Sequence, residues 1–263
     1  MAKFTHYLVT RFNVPAGKWL QDKEGRPTLD DEWMDHRLDL FKKYCVPTVA
    51  GQSEKNFEWL IYCDIKTGDS VRQQIENSTH TITNVQLRYV EKMEDLLIDF
   101  KHILNSAETP YVISSRLDND DGLSIDFIKS VQHQFQAMDR CLINFNHGIL
   151  YDVNRRIMTQ IQSGYLNHYG SLIESKKMAD QYLTIMGFHH TSPPEDVSVI
   201  NLSRPCAWLK IIHERNARSG MKGRLVLSKN ILECFLLPNN LFKISFLNSA
   251  GYLVWRIKKK MNG

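Results

Sequence analysis

Tyr111-Val112-Ile113-Ser114-Ser115-Arg116-Leu117-Asp118-Asn119-Asp120-Asp121 is the stretch on which the fold turns. Its apolar, β-branched opening reads as a strand, and that strand runs straight into three carboxylates within four residues. In open α/β folds ligands sit just beyond the carboxyl ends of strands, so this end is a candidate site. Three neighbouring carboxylates repel one another, and folding alone gives no reason to place them there. A hard cation such as Mg²⁺ or Mn²⁺ would resolve the repulsion, because it takes oxygen ligands and keeps waters that a diphosphate can displace. It would also neutralise charge building on a departing nucleoside diphosphate. A helix N-cap accounts for one such acid, at about 0.3–1 kcal/mol, but not for three.

Outward from this stretch, strands and helices alternate. His6-Tyr7-Leu8-Val9-Thr10 reads as a first strand that stops at Arg11-Phe12-Asn13. Past a loop containing Pro15, Gly17, Gly25 and Pro27, Asp30 or Asp31 caps a helix with Trp33, Arg37, Leu38, Leu40, Phe41 and Tyr44 at helical spacing. Residues 57–64 form the clearest buried strand. A helix over 70–77, a strand over 81–90 and a helix over 93–104 follow, and an amphipathic helix over 124–139 comes after the acids. The alternation predicts an α/β domain with a mixed, mostly parallel sheet flanked by helices. Residues 141–151 and 155–161 read as further strands with a hairpin near Asp152-Val153-Asn154. Beyond Ser192 the pattern loosens around Pro193, Pro194 and Pro205. There, residues 228–238 read as a short helix and 241–260 as an amphipathic one ending in Lys258-Lys259-Lys260.

The 263 residues, 43% hydrophobic and 24% charged, suit one large globular domain with a small appendage. No apolar run reaches the roughly 18 residues of a membrane span, and the opening residues lack the pattern of a signal peptide, so a cytoplasmic location is expected. Five widely spaced cysteines form no C-x-x-C pair and read as small buried apolar residues. Charge is unevenly spread: residues 204–263 carry a net +10 and residues 1–203 a net −6. The basic stretch therefore suits an anionic partner: a nucleotide diphosphate, a lipid-linked acceptor at a membrane surface, or nucleic acid.

Several fragments, in order, resemble one family. They are His6 to Asn13, Trp33-x-x-x-Arg37-Leu38-x-Leu40-Phe41, Cys45-Val46-Pro47-Thr48-Val49, Phe57-x-Trp59, Asp64-x-x-Thr67 and Ser115 to Gly122. Ser171-Leu172-Ile173-Glu174 and Trp208-Leu209-x-x-x-His213-x-x-Asn216 continue the set. Together they resemble the rhamnosyltransferase family, which is similar to GT-A glycosyltransferases with a Rossmann-related fold and a D-x-D metal motif. The resemblance implies a nucleotide-sugar-binding half over residues 1–122, an acceptor half over 123–220, and a basic C-terminal extension over 221–263. It implies a nucleotide-sugar donor, a glycan or lipid-linked glycan acceptor, and a divalent cation, Mn²⁺ or Mg²⁺.

By that resemblance Asp118 and Asp120 are the D-x-D pair, with His213 completing the metal shell or meeting the diphosphate. Thr10, Arg11 and Asn13 lie where a base or ribose is expected. Asp64 would accept from a ribose hydroxyl or cap its own turn, and Arg116 would hold the donor or pair with an acid. Asn119 and Asp121 stand beside the donor, and Asn216 and Arg218 can hydrogen-bond phosphate oxygens. An inverting transfer needs a carboxylate base, for which Glu174 is the first candidate and Asp196 the rival. His189-His190 is no metal pair if extended, because adjacent strand residues face opposite sides. Lys258-Lys259-Lys260 after Trp255 reads either as an anchor to anionic lipid or as a solvated tail. A nucleotidyl or phosphoryl transferase would use similar acids, but the chain contains no P-loop or G-x-G-x-x-G. Nucleic-acid binding by the basic stretch would leave the acidic cluster without a role.

Overall fold

β1 (Phe4–Arg11) lies inside the central sheet of the computed structural model, which describes residues 2–17, 21–22, 24–162, 166–216 and 220–261, without the side chains of 178–180 and 260. Parallel neighbours β2 (Glu58–Asp64) and β4 (Tyr111–Arg116) flank it, and β3 (Val85–Val90) extends the sheet past β2. Period-two alternation divides each strand between two cores. Leu8, Trp59, Ile61 and Ile113 face one side, and Tyr7, Val9, Leu60, Tyr62 and Val112 face the other. Helices cover both faces. Met34, Leu38 and Phe41 join the first core with Ile75, and Leu96, Phe100 and Leu104 join the second. They come from α1 (Asp31–Leu40), the π turn Phe41–Cys45, α3 (Asp69–Thr79) and α4 (Met93–Ser106). Each such large side chain contributes about 1.5–3 kcal/mol on burial.

The Asp30 side chain caps α1 by accepting from Trp33 N–H at 2.8 Å. The π turn joins α1 to α2 (Val46–Ala50), where Pro47 has no N–H to give to a carbonyl one turn back. On its other side the sheet continues through β9 (Ser171–Ser175), β6 (Cys141–Phe145) and β10 (Ser198–Leu202), in the order β10-β6-β9-β4-β1-β2-β3. β9 alone runs antiparallel to its neighbours. A second sheet contains β5 (Gly122–Leu123), β7 (His147–Asp152), β8 (Ile157–Gln162), β11 (Trp208–Ile212) and β12 (Arg224–Leu225), in the order β12-β8-β7-β11-β5. Leu232, Phe235, Leu237 and Phe242 close a third core against Ile149, Met158, Leu209 and Ile211.

The mixed, mostly parallel α/β architecture is as the alternation predicts, with local differences. The helix expected over 124–139 is only α5 (Phe127–His133), because Gly122–Leu123 pairs with β11 and Ser124 N–H bonds the Ala207 carbonyl. The strand expected over 81–90 starts at Val85, after Asn84 takes a left-handed φ of 64°. Residues 141–151 form two strands rather than one. The chain leaves the first sheet at Asn146 and enters the second as β7, which does make the expected hairpin with β8. The strands β9, β10 and β11 have no alternation to betray them, and β9 buries the polar Ser171, Glu174 and Ser175.

Gly148 on β7 stands opposite Trp208 on β11. A Cβ on Gly148 would fall 2.0 Å from the indole, so glycine is what lets Trp208 lie across the strand. We expect Gly148→Ala to lower stability by about 3 kcal/mol, the upper end for forced overpacking, measured by urea denaturation. A cost below about 1 kcal/mol would mean the indole has another place to go.

Candidate active site

Parallel strands deliver their carboxyl ends to one edge, and the acids lie there. Leu117 N–H still bonds the Val9 carbonyl, after which the chain turns and Asp121 N–H bonds the Asp118 carbonyl. Because β9 is antiparallel, its amino end arrives at the same edge and brings His168 and Tyr169 with it. β11 adds Lys210 and, just past its end, His213. α1 contributes His36 and Arg37.

The acids have different partners. Asp120 is buried, with Oδ2 2.5 Å from Arg37 Nη1 and 2.9 Å from His213 Nε2, and it accepts from Asn216 Nδ2 at 3.3 Å. His213 Nδ1 lies 3.0 Å from His36 Nε2, and its Nε2 lies between Asp120 Oδ2 and Asn216 Nδ2, the latter 2.8 Å away. Arg37 also donates to Asn119 Oδ1 at 3.1 Å, and Asn119 Nδ2 bonds the Phe12 carbonyl at 2.8 Å. Asp121 Oδ2 accepts from the Tyr169 hydroxyl at 2.6 Å, and Oδ1 accepts from Ile211 N–H at 2.8 Å. Tyr169 stacks on Trp208, with ring centroids 4.8 Å apart. Asp118 is the most exposed of the three and accepts from Arg116 Nη2 at 3.0 Å.

Electrostatics follow these contacts. Burial works to raise the Asp118 carboxyl, but Arg116, Lys210 and Arg11 hold it well below the usual range. Asp120 is likewise opposed by burial and held low by Arg37 and His213. Asp121 is raised, first by burial and then by the charges of Asp120 and Asp118. Burial pushes the His168 imidazole down to about 3, so it is neutral, with Nε2 3.4 Å from Asp121 Oδ2. The chain's own cations thus offset the repulsion that the bare sequence assigns to a metal.

A cation can still be held. Among the described residues, the group whose ligand atoms lie within 4.8 Å of one another is Asp118, Asp121 and His168. The expected metal set was Asp118, Asp120 and His213. In the structure Asp120 and His213 instead bond each other on the Arg37 side. His168 had no signal in the sequence, since nothing there reveals the direction of β9. Arg37 had one: it is a cation one turn after the buried Trp33, and its guanidinium lies 4.9 Å from that ring centroid.

Other expected residues divide by position. Arg11 and Arg116 are at the cluster, as is Asn216. Thr10 is fully buried and its Oγ1 accepts from Trp59 Nε1 at 3.0 Å, so it faces the core rather than a ligand. Asn13 staples the ends of β1 and β2, accepting from Asp64 N–H at 3.0 Å and donating to Thr67 Oγ1 at 3.0 Å. Asp64 caps its own turn through Lys66 N–H at 2.9 Å. Arg218 lies outside the described residues.

Glu174 and Asp196 are not brought to the cluster. Glu174 pairs in register with Val112, near the start of β4, so it lies about 20 Å back along the strand from Asp118. Its carboxylate accepts from Leu183 N–H at 2.7 Å and Thr184 N–H at 3.1 Å. Asp196 pairs with Arg140, just ahead of β6 at that same far edge. Neither can act as a base for chemistry at the acids.

A family model described as "Putative rhamnosyl transferase" matches residues 5–224. The chain belongs to this family. No curated protein matches its sequence. Among solved structures it is similar to S. aureus TarS 1-349, with 12% identity over 79% of this chain and 60% of that one, at a TM-score of 0.46. It thus spans about three fifths of that relative's length. HddC from Yersinia pseudotuberculosis is 13% identical, with 79% of this chain and 89% of that one covered and a TM-score of 0.37.

Two tests follow from the geometry. Arg37→Ala leaves a buried carboxylate without its cation and should cost about 3–5 kcal/mol in denaturant unfolding, with Arg37→Lys recovering part of the loss. Glu174 gives a pH signature, since burial raises its carboxyl from 4.5 to about 7 against the pull of two backbone N–H donors. A folded-state value above the unfolded one contributes stability that is full at low pH and is lost as pH rises through about 7. Wild type should therefore lose about 3 kcal/mol relative to Glu174→Gln between the two pKa values. A pH-independent difference between the two proteins would refute the assignment.

Proposed function

We propose that this protein is a glycosyltransferase that moves a deoxyhexose, rhamnose in the first instance, from a nucleoside-diphosphate donor to a hydroxyl of a glycan or lipid-linked glycan. The observation that carries the site is the convergence of Asp118, Asp121 and His168 at the carboxyl edge of the parallel strands. Two carboxylate oxygens and a neutral imidazole suit Mn²⁺, and the oxygens alone suit Mg²⁺. When bound, such an ion supplies charge neutralisation for a departing diphosphate.

The chain's own residues do the rest. Arg11 and Lys210 put positive charge beside Asp118, where the diphosphate would lie. Arg116 holds Asp118 in place through two hydrogen bonds. Asp120, fixed by Arg37, His213 and Asn216, sets the course of the acidic turn and acts as a positioning residue. Asn13 and Asp64 shape the floor of the nucleotide side by tying the ends of β1 and β2 together. In this reading residues 1–122 form the donor half and 123–220 the acceptor half.

The test is donor hydrolysis and transfer across a panel of nucleotide sugars, with and without EDTA. We expect chelation to abolish activity, Mn²⁺ or Mg²⁺ to restore it, and Asp118→Ala or Asp121→Ala to lower it about 100-fold, equivalent to about 3 kcal/mol. His168→Ala should raise the Mn²⁺ concentration needed for half-maximal rate. Activity indifferent to EDTA and to Asp118→Ala would sink the metal reading. A raised metal requirement in Asp120→Ala, with none in Asp121→Ala, would move the ion to the other pair.

A further inference from the structure

α6 (Phe246–Met261) touches the body of the protein along one narrow face. Ser249 and Tyr252 are buried, the Tyr252 hydroxyl bonds the Gly223 carbonyl at 3.1 Å, and Arg256 reaches the same carbonyl. These residues hold the helix against β8 and the loop before β12. At about 100° per residue, Phe246, Leu247, Leu253, Val254, Ile257 and Met261 fall on a different arc, about 120° wide. They are from 43% to 83% exposed, an unusually apolar face to leave in water.

Charge says what covers it. From residue 234 to 263 there is no Asp or Glu, while Lys243, Arg256, Lys258, Lys259 and Lys260 all lie in this span. Lys258 borders the apolar arc, and Lys259 lies over the Trp255 ring, 5.4 Å from its centroid. Two copies of such a helix would set like charges against each other, whereas an anionic surface would match them. No described helix is long and apolar enough to cross a membrane, so the helix would lie in the surface plane.

We propose that the exposed face of α6 docks on an anionic lipid bilayer, with the apolar arc in the headgroup layer and the lysines against lipid phosphates. α6 packs on β8, two strands from β11, so the bilayer would stand close to the strand that supplies Lys210 to the acidic site.

The test is co-sedimentation of the full chain with vesicles of phosphatidylcholine alone, or of phosphatidylcholine and phosphatidylglycerol in equal parts. We expect binding to the mixed vesicles only, weakening as salt is added. Lys258→Gln with Lys259→Gln should weaken binding about thirty-fold, from the typical worth of two lysines at an anionic surface. Val254→Asp with Ile257→Asp should abolish binding while keeping the melting temperature and donor hydrolysis, since both positions are exposed and outside the acidic site. Absence of binding to mixed vesicles at low salt, or binding unchanged in the Val254→Asp, Ile257→Asp protein, overturns the proposal. So does a dimer in solution that this same pair of substitutions splits, which would assign the face to a second copy of the chain.

Discussion

Three carboxylates in four residues at a mostly buried sheet edge are tolerable only if opposite charge is brought to them, and the tertiary structure is arranged so that it is. Arg37 is supplied by the first helix, Arg116 by the strand that delivers the acids, Arg11 by the neighbouring strand and Lys210 by the second sheet. The Arg37–Asp120 contact at 2.5 Å is the innermost of these, and it fixes α1 relative to the sheet. A buried pair of this kind adds little net stability over a well-packed apolar alternative. It makes α1 and the acidic turn depend on each other for position, and that registry is what a site requires.

The sheet has two edges with separate work. At the carboxyl edge the polar groups remain partly open, with Asp118, Arg11 and Lys210 half-buried around it. At the opposite edge Glu174 is closed off by two backbone N–H groups and the exposed Asp196 pairs with Arg140, so the acids there hold loops in place. Inside the sheet His6, Ser115 and Ser171 pass hydrogen bonds across three strands at 2.8 and 2.5 Å, which explains how polar side chains occupy a fully buried layer.

Strand β4, the acids beyond it and the parallel neighbours were legible because apolar β-branched runs ending in charge have few other meanings. The ion pairs around the acids were half legible: Arg37 stands out on an apolar helix face, but its target is 83 residues away in sequence. Strand β9 was not legible. Its polar residues look like a loop, and they are buried only because neighbouring strands on both sides pair with it. Strand direction then decided the fate of two candidates at once. An antiparallel β9 carries His168 to the acids and Glu174 away from them, whereas spacing along the chain treats both alike. Thr10 illustrates the same limit at smaller scale, since alternation puts it at a strand end but not on a given face.

One reversed strand among seven also sets the dimensions of the working edge. β10, β6, β4, β1, β2 and β3 all point the same way, so their carboxyl ends line a ledge six strand spacings long, or about 29 Å. β4 is the fourth of the seven, which puts the acids at the middle of that ledge. The ends of β1 and β2 lie to one side of the acids and those of β6 and β10 to the other, where the Trp208 indole N–H bonds the Phe145 carbonyl. Reversal of β9 puts an amino end at this edge, so the stretch of chain entering the strand brings His168 and Tyr169 against Asp121.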